Sequence, residues 1–94
     1  MPYTYLVTYD IPDDDRRTDI SDLLATHGVR VQYSVFEITF PAKKDIQRLR
    51  GTLRRRMNRE EDQIRLYPLP TPVLSELVIL GNRRLEERAD YWIL

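Results

Sequence analysis

The fold is decided by residues 29–40, whose sequence is Val-Arg-Val-Gln-Tyr-Ser-Val-Phe-Glu-Ile-Thr-Phe. β-branched and aromatic side chains dominate this stretch, and such residues favour strands. It is too long for a typical single strand. We therefore expect a break near Tyr33-Ser34, which gives two consecutive strands in the middle of the chain.

Further elements are predicted on both sides of this pair of strands. Residues 3–9 alternate as a first strand, and a helix follows from about Asp14 or Asp15 to His27, stopped by Gly28. After Pro41, apolar residues recur at the helical period; they are Ile46, Leu49, Leu53 and Met57. Residues 62–69 alternate as another strand closed by prolines, and residues 77–80, Leu-Val-Ile-Leu, predict a short additional strand.

The resulting order is strand, helix, strand, strand, helix, strand, plus the additional C-terminal strand. This is the α+β, ferredoxin-like βαββαβ pattern, in which helices cover one face of an antiparallel sheet. The first strand has apolar or β-branched groups on both faces, so we expect a homodimer packed sheet to sheet. Residues 1–81 form this domain, and residues 82–94 form a tail that ends in Tyr-Trp-Ile-Leu. Because such an ending is costly in water, the tail is expected to dock on a partner subunit.

Composition excludes several functional classes. The 94 residues contain no Cys and a single His, so disulfides, zinc-thiolate sites and cysteine nucleophiles are ruled out. The longest apolar run is too short to span a bilayer, and no signal peptide is visible. We expect a cytoplasmic protein with no membrane association.

The charges are separated along the chain although their sum is zero. Eight basic residues and one acid lie between Lys43 and Arg59. Four of the basic residues fall opposite the apolar stripe of the second helix or just beyond it; they are Lys44, Arg48, Arg55 and Arg59. A basic face of this kind is suited to sequence-independent contacts with a phosphate backbone.

An acidic loop follows the first strand, and Asp10 begins it. A carboxylate at a strand end is rigidly held and can meet a ligand. Mg²⁺ takes six oxygens, so Asp10 would need other acids or a second copy of itself; alternatively, it caps a turn. Arg16, Arg17 and Arg30 flank the loop and either bind phosphate or neutralise the acids.

The aromatic residues of the strands leave two interpretations open. In the first interpretation, these side chains stack on bases or order a metal site; in the second, they belong to the hydrophobic core. The residues concerned are Tyr9, Tyr33 and Phe36.

Several segments together resemble the CRISPR-associated protein 2 family. They are residues 9–11 (Tyr-Asp-Ile), 15–17 (Asp-Arg-Arg), 28–37 (Gly-Val-Arg-Val-Gln-Tyr-Ser-Val-Phe-Glu) and 61–67 (Glu-Asp-Gln-Ile-Arg-Leu-Tyr), followed by a late apolar strand and Gly81. The resemblance implies a ferredoxin-like homodimer that works with the CRISPR-associated integrase, protein 1 of the same systems, in spacer acquisition. It also implies an endonuclease dependent on Mg²⁺, or on Mn²⁺ in its place, that hydrolyses RNA or double-stranded DNA.

The resemblance also implies roles for particular residues. Asp10 from each subunit would hold one shared metal ion at the dimer interface. Residues matching the family's nuclease site are Tyr9, Arg17, Arg30 and Phe36, with Arg16 as the alternative to Arg17. Expected nucleic-acid contacts are Arg16, Lys44, Arg48, Arg55 and Arg59. The alternatives are a non-catalytic scaffold for duplex DNA, a toxin-like ribonuclease of similar fold, and a small-molecule regulatory domain.

Overall fold

The computed structural model describes residues 2–81. The elements in chain order are β1 (Tyr3–Asp10), α1 (Asp14–Ala25), β2 (Gly28–Gln32), β3 (Val35–Phe40), α2 (Lys43–Arg56), β4 (Gln63–Pro68) and α3 (Thr71–Leu74). The strands form one antiparallel sheet in the order β2-β3-β1-β4. The predicted α+β, ferredoxin-like arrangement is confirmed.

The expected break in residues 29–40 lies at Tyr33-Ser34, between β2 and β3. Ser34 adopts a left-handed conformation with φ of 69°, which lets the chain reverse within two residues. Its carbonyl accepts a hydrogen bond from the Tyr9 amide at 3.1 Å. The turn is thus joined to β1 as well as to its own two strands.

The core lies between the two long helices and one face of the sheet. It contains Val7 and Tyr9 of β1, Phe36, Ile38 and Phe40 of β3, Ile20 and Leu24 of α1, and Ile46, Leu49 and Leu53 of α2. Alternation along β1 sends Thr4, Leu6, Thr8 and Asp10 to the other side. This second side, here called the open face, has no helix of the described chain packed against it.

Helix α1 ends earlier than predicted. Its last residue is Ala25 with Thr26 as the C-cap, and His27 is exposed beside the Phe40 ring. Gly28 begins β2 and is not the glycine that terminates the helix. A Cβ at this position would lie 2.2 Å from the Glu37 carbonyl oxygen, so the close approach of β2 to β3 requires glycine.

The predicted additional strand is absent from the described sheet. Residues 77–80 have no regular structure, and β4 pairs only with β1. Prolines 68, 70 and 72 and the short helix α3 turn the chain away after β4, so no strand within residues 2–81 lies beside residues 77–80. The four apolar side chains are therefore exposed, from 52% for Leu77 to 91% for Leu80. The predicted docking of the tail, residues 82–94, lies outside the described residues.

Among the helices of residues 2–81, none has the length and apolar character needed to cross a membrane.

Candidate nucleic-acid site

The residues predicted for one catalytic site lie on two sides of the sheet. Tyr9 and Phe36 point to the side covered by helices and are 7% and 1% exposed. Asp10, the next residue along β1, points to the open face. The predicted set therefore divides into a group on the helix side and a carboxylate on the other side.

On the helix side, a cavity of about 710 Å³ lies between α1 and β2 and is here called the helix-side pocket. It contains four of the residues predicted for the nuclease site, namely Tyr9, Arg17, Arg30 and Phe36. Tyr33 also lines it and is 65% exposed. Aromatic rings and guanidinium groups thus meet in one concave space.

Arg30 is held among aromatic rings inside this pocket. Its guanidinium carbon lies 5.1 Å from the Phe36 ring centroid and 5.8 Å from that of Tyr33, within the range of cation–π attraction. The guanidinium also donates hydrogen bonds to the Ser21 hydroxyl and, at 3.5 Å, to the Tyr9 hydroxyl. Side chains of the sheet and of α1 therefore hold the Arg30 guanidinium in place.

Arg17 lines the same pocket from α1. Its Nη1 donates to the Ile11 and Pro12 carbonyls at 3.0 and 3.4 Å, and Nη2 pairs with the Asp14 carboxylate. The hydrogen bond with Asp14 raises the pKa of Arg17 above its ordinary value, so the side chain stays charged. Arg17 fastens the loop after β1 to α1 and leaves part of its surface in the pocket.

Arg16 makes ion pairs with acidic residues of the protein and does not line the helix-side pocket. It makes a bidentate pair with Asp62, with Nε–Oδ2 and Nη2–Oδ1 distances of 2.8 and 2.9 Å, and reaches Glu61 at 3.1 Å. The Arg16 hydrogen bond holds the pKa of the buried Asp62 carboxyl below its ordinary value, against the effect of burial. The structure thus separates the two candidates: Arg17 belongs to the pocket, and Arg16 neutralises acids.

Asp10 is exposed at the end of β1, opposite Gln63 of β4. Within residues 2–81, its carboxylate makes no hydrogen bond or ion pair. The turn-capping alternative is not realised, since the local cap is Asp13, whose carboxylate accepts from the Arg16 amide at 2.8 Å. The described residues also contain no cluster of three or more His or acidic residues that could hold a metal ion. Among the described residues of one chain, Asp10 is therefore a donor group without other acidic residues clustered around it.

The open face carries polar groups at both ends of β1. Beside Asp10, Arg65 of β4 donates to the Gln63 side chain and to the Tyr67 hydroxyl, both at 3.0 Å. At the other end of β1, Thr4 and Thr39 share a hydrogen bond of 2.8 Å. Arg65 was not among the site residues predicted from the sequence. The alternation of residues 62–69 could have revealed it, because this alternation places Arg65 and Tyr67 on the same face of the strand.

The basic face of α2 is on the surface, as predicted. Lys44, Arg48 and Arg55 are exposed, and Arg59 lies beyond the helix end. Within residues 2–81, two intramolecular ion pairs are made here: Arg48 is 3.9 Å from Asp45 of the same helix, and Arg56 reaches Asp19 of α1 at 3.2 Å. Most of this positive charge remains directed to solvent.

Sequence reasoning missed Ser21 and Asp62, which position Arg30 and Arg16. Ser21 could have been found from the helical period, because it follows Arg17 by four residues and shares its face of α1. No local pattern links Arg16 to Asp62, which are separated by 46 positions.

Fold and site together define a small α+β protein with a ferredoxin-like sheet, an exposed basic helix and a pocket that combines arginine with aromatic rings. The family model of CRISPR associated protein Cas2 matches residues 2–76. The chain belongs to this family.

Proteins that are similar to this chain in sequence or structure have names that belong to the same family. A protein of Synechocystis sp. named CRISPR-associated endoribonuclease Cas2 3 is 46% identical over 85% of this chain and 86% of its own length. A CRISPR-associated endonuclease Cas2 2 of Thermus thermophilus is 38% identical over 96% and 94%. Among solved structures, a chain of a partial Cas6-RT-Cas1–Cas2 complex superposes with a TM-score of 0.73 at 30% identity, covering 83% of this chain and 90% of that chain.

Proposed function

We propose that this chain is a homodimeric, nucleic-acid-binding protein of CRISPR spacer acquisition that hydrolyses phosphodiester bonds in RNA or double-stranded DNA with the help of Mg²⁺. One observation carries the catalytic part: Asp10 ends β1 on the open face with its carboxylate unpaired within the described chain. The names endoribonuclease and endonuclease given to its relatives support a nuclease.

The metal site would be completed by symmetry. A single Asp10 supplies too few of the six oxygens that Mg²⁺ takes, and no other acidic cluster of the described residues adds to them. Two copies of Asp10 facing each other across a two-fold axis, with water, fit a hard cation, and Mn²⁺ would occupy the same ligands. Such an ion supplies a water of lowered pKa and stabilises charge on phosphate.

Two surfaces support a homodimer. One is the open face, which carries Asp10 and lacks helical cover in the described chain. The other is the exposed Leu-Val-Ile-Leu segment of residues 77–80, whose β-forming residues pair with none of the strands that the structure describes. A second copy of the chain could cover both.

The nuclease proposal is tested by Asp10→Asn, with Asp15→Asn as the matched control. Asp15 is an exposed acid in the first turn of α1, so its replacement changes the charge equally. We expect Asp10→Asn to lower the Mg²⁺-dependent cleavage of RNA or duplex DNA by at least tenfold and Asp15→Asn to leave it near the wild-type rate. Equal cleavage by all three proteins would exclude catalysis at Asp10.

A second candidate function is a non-catalytic scaffold that binds duplex DNA and assembles with the integrase Cas1. The position of the exposed basic face of α2, on the side of the sheet opposite Asp10, favours it. The match to a chain from a complex containing Cas1 supports the partner. Co-purification with Cas1, together with DNA binding that survives Asp10→Asn, would establish the scaffold even if cleavage were absent.

A further inference from the structure

The helix-side pocket is a cavity separate from Asp10. Its volume of about 710 Å³ lies in the range of small-molecule sites, and Asp10 is not among its lining residues. It is open to solvent beside Tyr33. Any ligand in it would approach from the side of α1, away from the open face.

The chemistry of the pocket fits a nucleotide. Tyr33 offers an aromatic ring that is 65% exposed, and a base can stack on it. Arg17 and Arg30 supply guanidinium groups, which bind phosphate oxygens and also stack on bases. Hydroxyl groups of Thr18 and Ser21 provide further polar contacts on the α1 wall.

The aromatic and cationic groups are held before a ligand arrives. Arg30 lies near the Tyr33 and Phe36 rings and donates to Ser21, while Arg17 is fixed by the Ile11 carbonyl. Tyr9 and Phe36 are stacked at 6.4 Å and form the buried floor. A preorganised site loses little side-chain entropy when it binds.

We infer that this pocket receives one unpaired nucleotide, with its base against Tyr33 and its phosphate near Arg17 and Arg30. The inference rests on the proposed nucleic-acid function and adds that the protein prefers a strand with an unpaired end to a blunt duplex. A base-paired nucleotide cannot enter, because its base is already stacked in the duplex.

Fluorescence anisotropy with two DNA duplexes of equal paired length tests this inference. One duplex is blunt and the other carries a short single-stranded overhang. We expect the wild type to bind the overhang duplex about 5- to 150-fold more tightly, in line with stacking of one base. Tyr33→Ala should abolish this preference and leave blunt-duplex affinity unchanged.

Tyr3→Ala is the matched control, since Tyr3 is also an exposed tyrosine but lies at the start of β1, outside both the helix-side pocket and the open face. It should retain the overhang preference. Circular dichroism checks that both variants fold. We expect Tyr33→Ala to fold, because Tyr33 is exposed and lies in a turn.

A free nucleoside 5′-monophosphate could supply the same chemistry, so it is titrated separately and followed by NMR shifts of the Tyr33 ring. An overhang preference that is lost in Tyr33→Ala assigns the pocket to a strand end. Shifts from the monophosphate without that preference assign it to a free nucleotide and overturn the strand-end inference. Blunt-duplex binding with neither effect overturns the whole inference, whereas failure to bind any duplex would count against the proposed function itself.

Discussion

Gly28 shows how a single residue sets the geometry of a sheet edge. Its missing side chain lets β2 approach the backbone of β3, where a Cβ would meet the Glu37 carbonyl at 2.2 Å. At the same scale, Asp62 is a buried carboxylate whose charge is matched by Arg16. Both residues act through contacts that are distant in sequence.

Gly28→Ala is expected to destabilise the protein by about 1–3 kcal/mol, because the added methyl group forces the two strands apart. Gly51→Ala is the control. There, a Cβ would meet only the end of the flexible Arg55 side chain at 3.4 Å, and alanine in a helix interior gains about 0.5–1 kcal/mol. Urea unfolding measures both changes. Equal effects at the two positions would contradict the role assigned to Gly28.

The ion pair between Asp62 and Arg16 is expected to make the stability of the fold depend on pH in the acid range. Since Arg16 lowers the folded-state pKa of Asp62, the ion pair stabilises the protein above the unfolded-state pKa of about 4. That stabilisation is lost as pH falls through the lowered pKa. Asp62→Asn should therefore be less stable at pH 7 and should lose less stability on acidification than the wild type.

Thermal unfolding between pH 7 and pH 2.5 measures this difference. Glu61→Gln is the control, because Glu61 contacts the same arginine from an exposed position. It should follow the wild-type profile closely. Identical acid profiles for wild type and Asp62→Asn would show that the pair does not contribute.

At the scale of elements, α2 has a buried apolar face and an exposed basic face. Ile46, Leu49 and Leu53 are buried against the sheet, and the basic residues face solvent. The amide of Ala42 donates to the Asp45 carboxylate at 3.2 Å and so helps to begin the helix. The core holds the helix in place, which leaves its charged surface available for a partner.

Arg55→Ala should weaken duplex DNA binding in a salt-dependent way. Each lost phosphate contact lowers the slope of log K against log salt concentration by about 0.9 for duplex DNA, and a dimer can lose two. Gln47→Ala, on an exposed position of the same helix, should keep the wild-type slope. Anisotropy titrations at several salt concentrations measure the slopes. An unchanged slope in Arg55→Ala would remove this residue from the DNA surface.

At the scale of the whole molecule, the part of the chain that the structure describes leaves apolar surface exposed. Residues 77–80 are 52–91% exposed, and the open face lacks a helical layer within residues 2–81. A proposed second copy would bury this surface and would bring two Asp10 carboxylates together. Catalysis and dimerisation are thus expected to depend on each other.

Ile79→Lys should shift the protein towards monomer, because it places a charge in the apolar segment. Glu76→Lys introduces the same side chain three residues earlier at an exposed polar position and should remain dimeric. Light scattering after size-exclusion chromatography gives the molar masses. A fully dimeric Ile79→Lys protein would exclude this segment from the interface.

Local patterns in the sequence determined most of the fold. Alternation in residues 3–9 and 29–40 and the helical period around Leu49 depend on which side chains must avoid water, so they predicted β1, the break at Tyr33-Ser34 and the buried face of α2. The family segments also selected Arg17 and Arg30. The prediction of an additional strand at residues 77–80 was wrong for the described residues, since an apolar composition does not show whether a neighbouring strand exists.

Only the tertiary structure decided how the site residues are arranged. It gathered Tyr9, Arg17, Arg30 and Phe36 around one pocket, assigned Arg16 to Asp62, and showed Gly28 at a strand contact. These outcomes depend on distances between residues far apart in the chain. A sequence pattern records which side chains share a face, whereas the partner that each one meets is set by packing between elements.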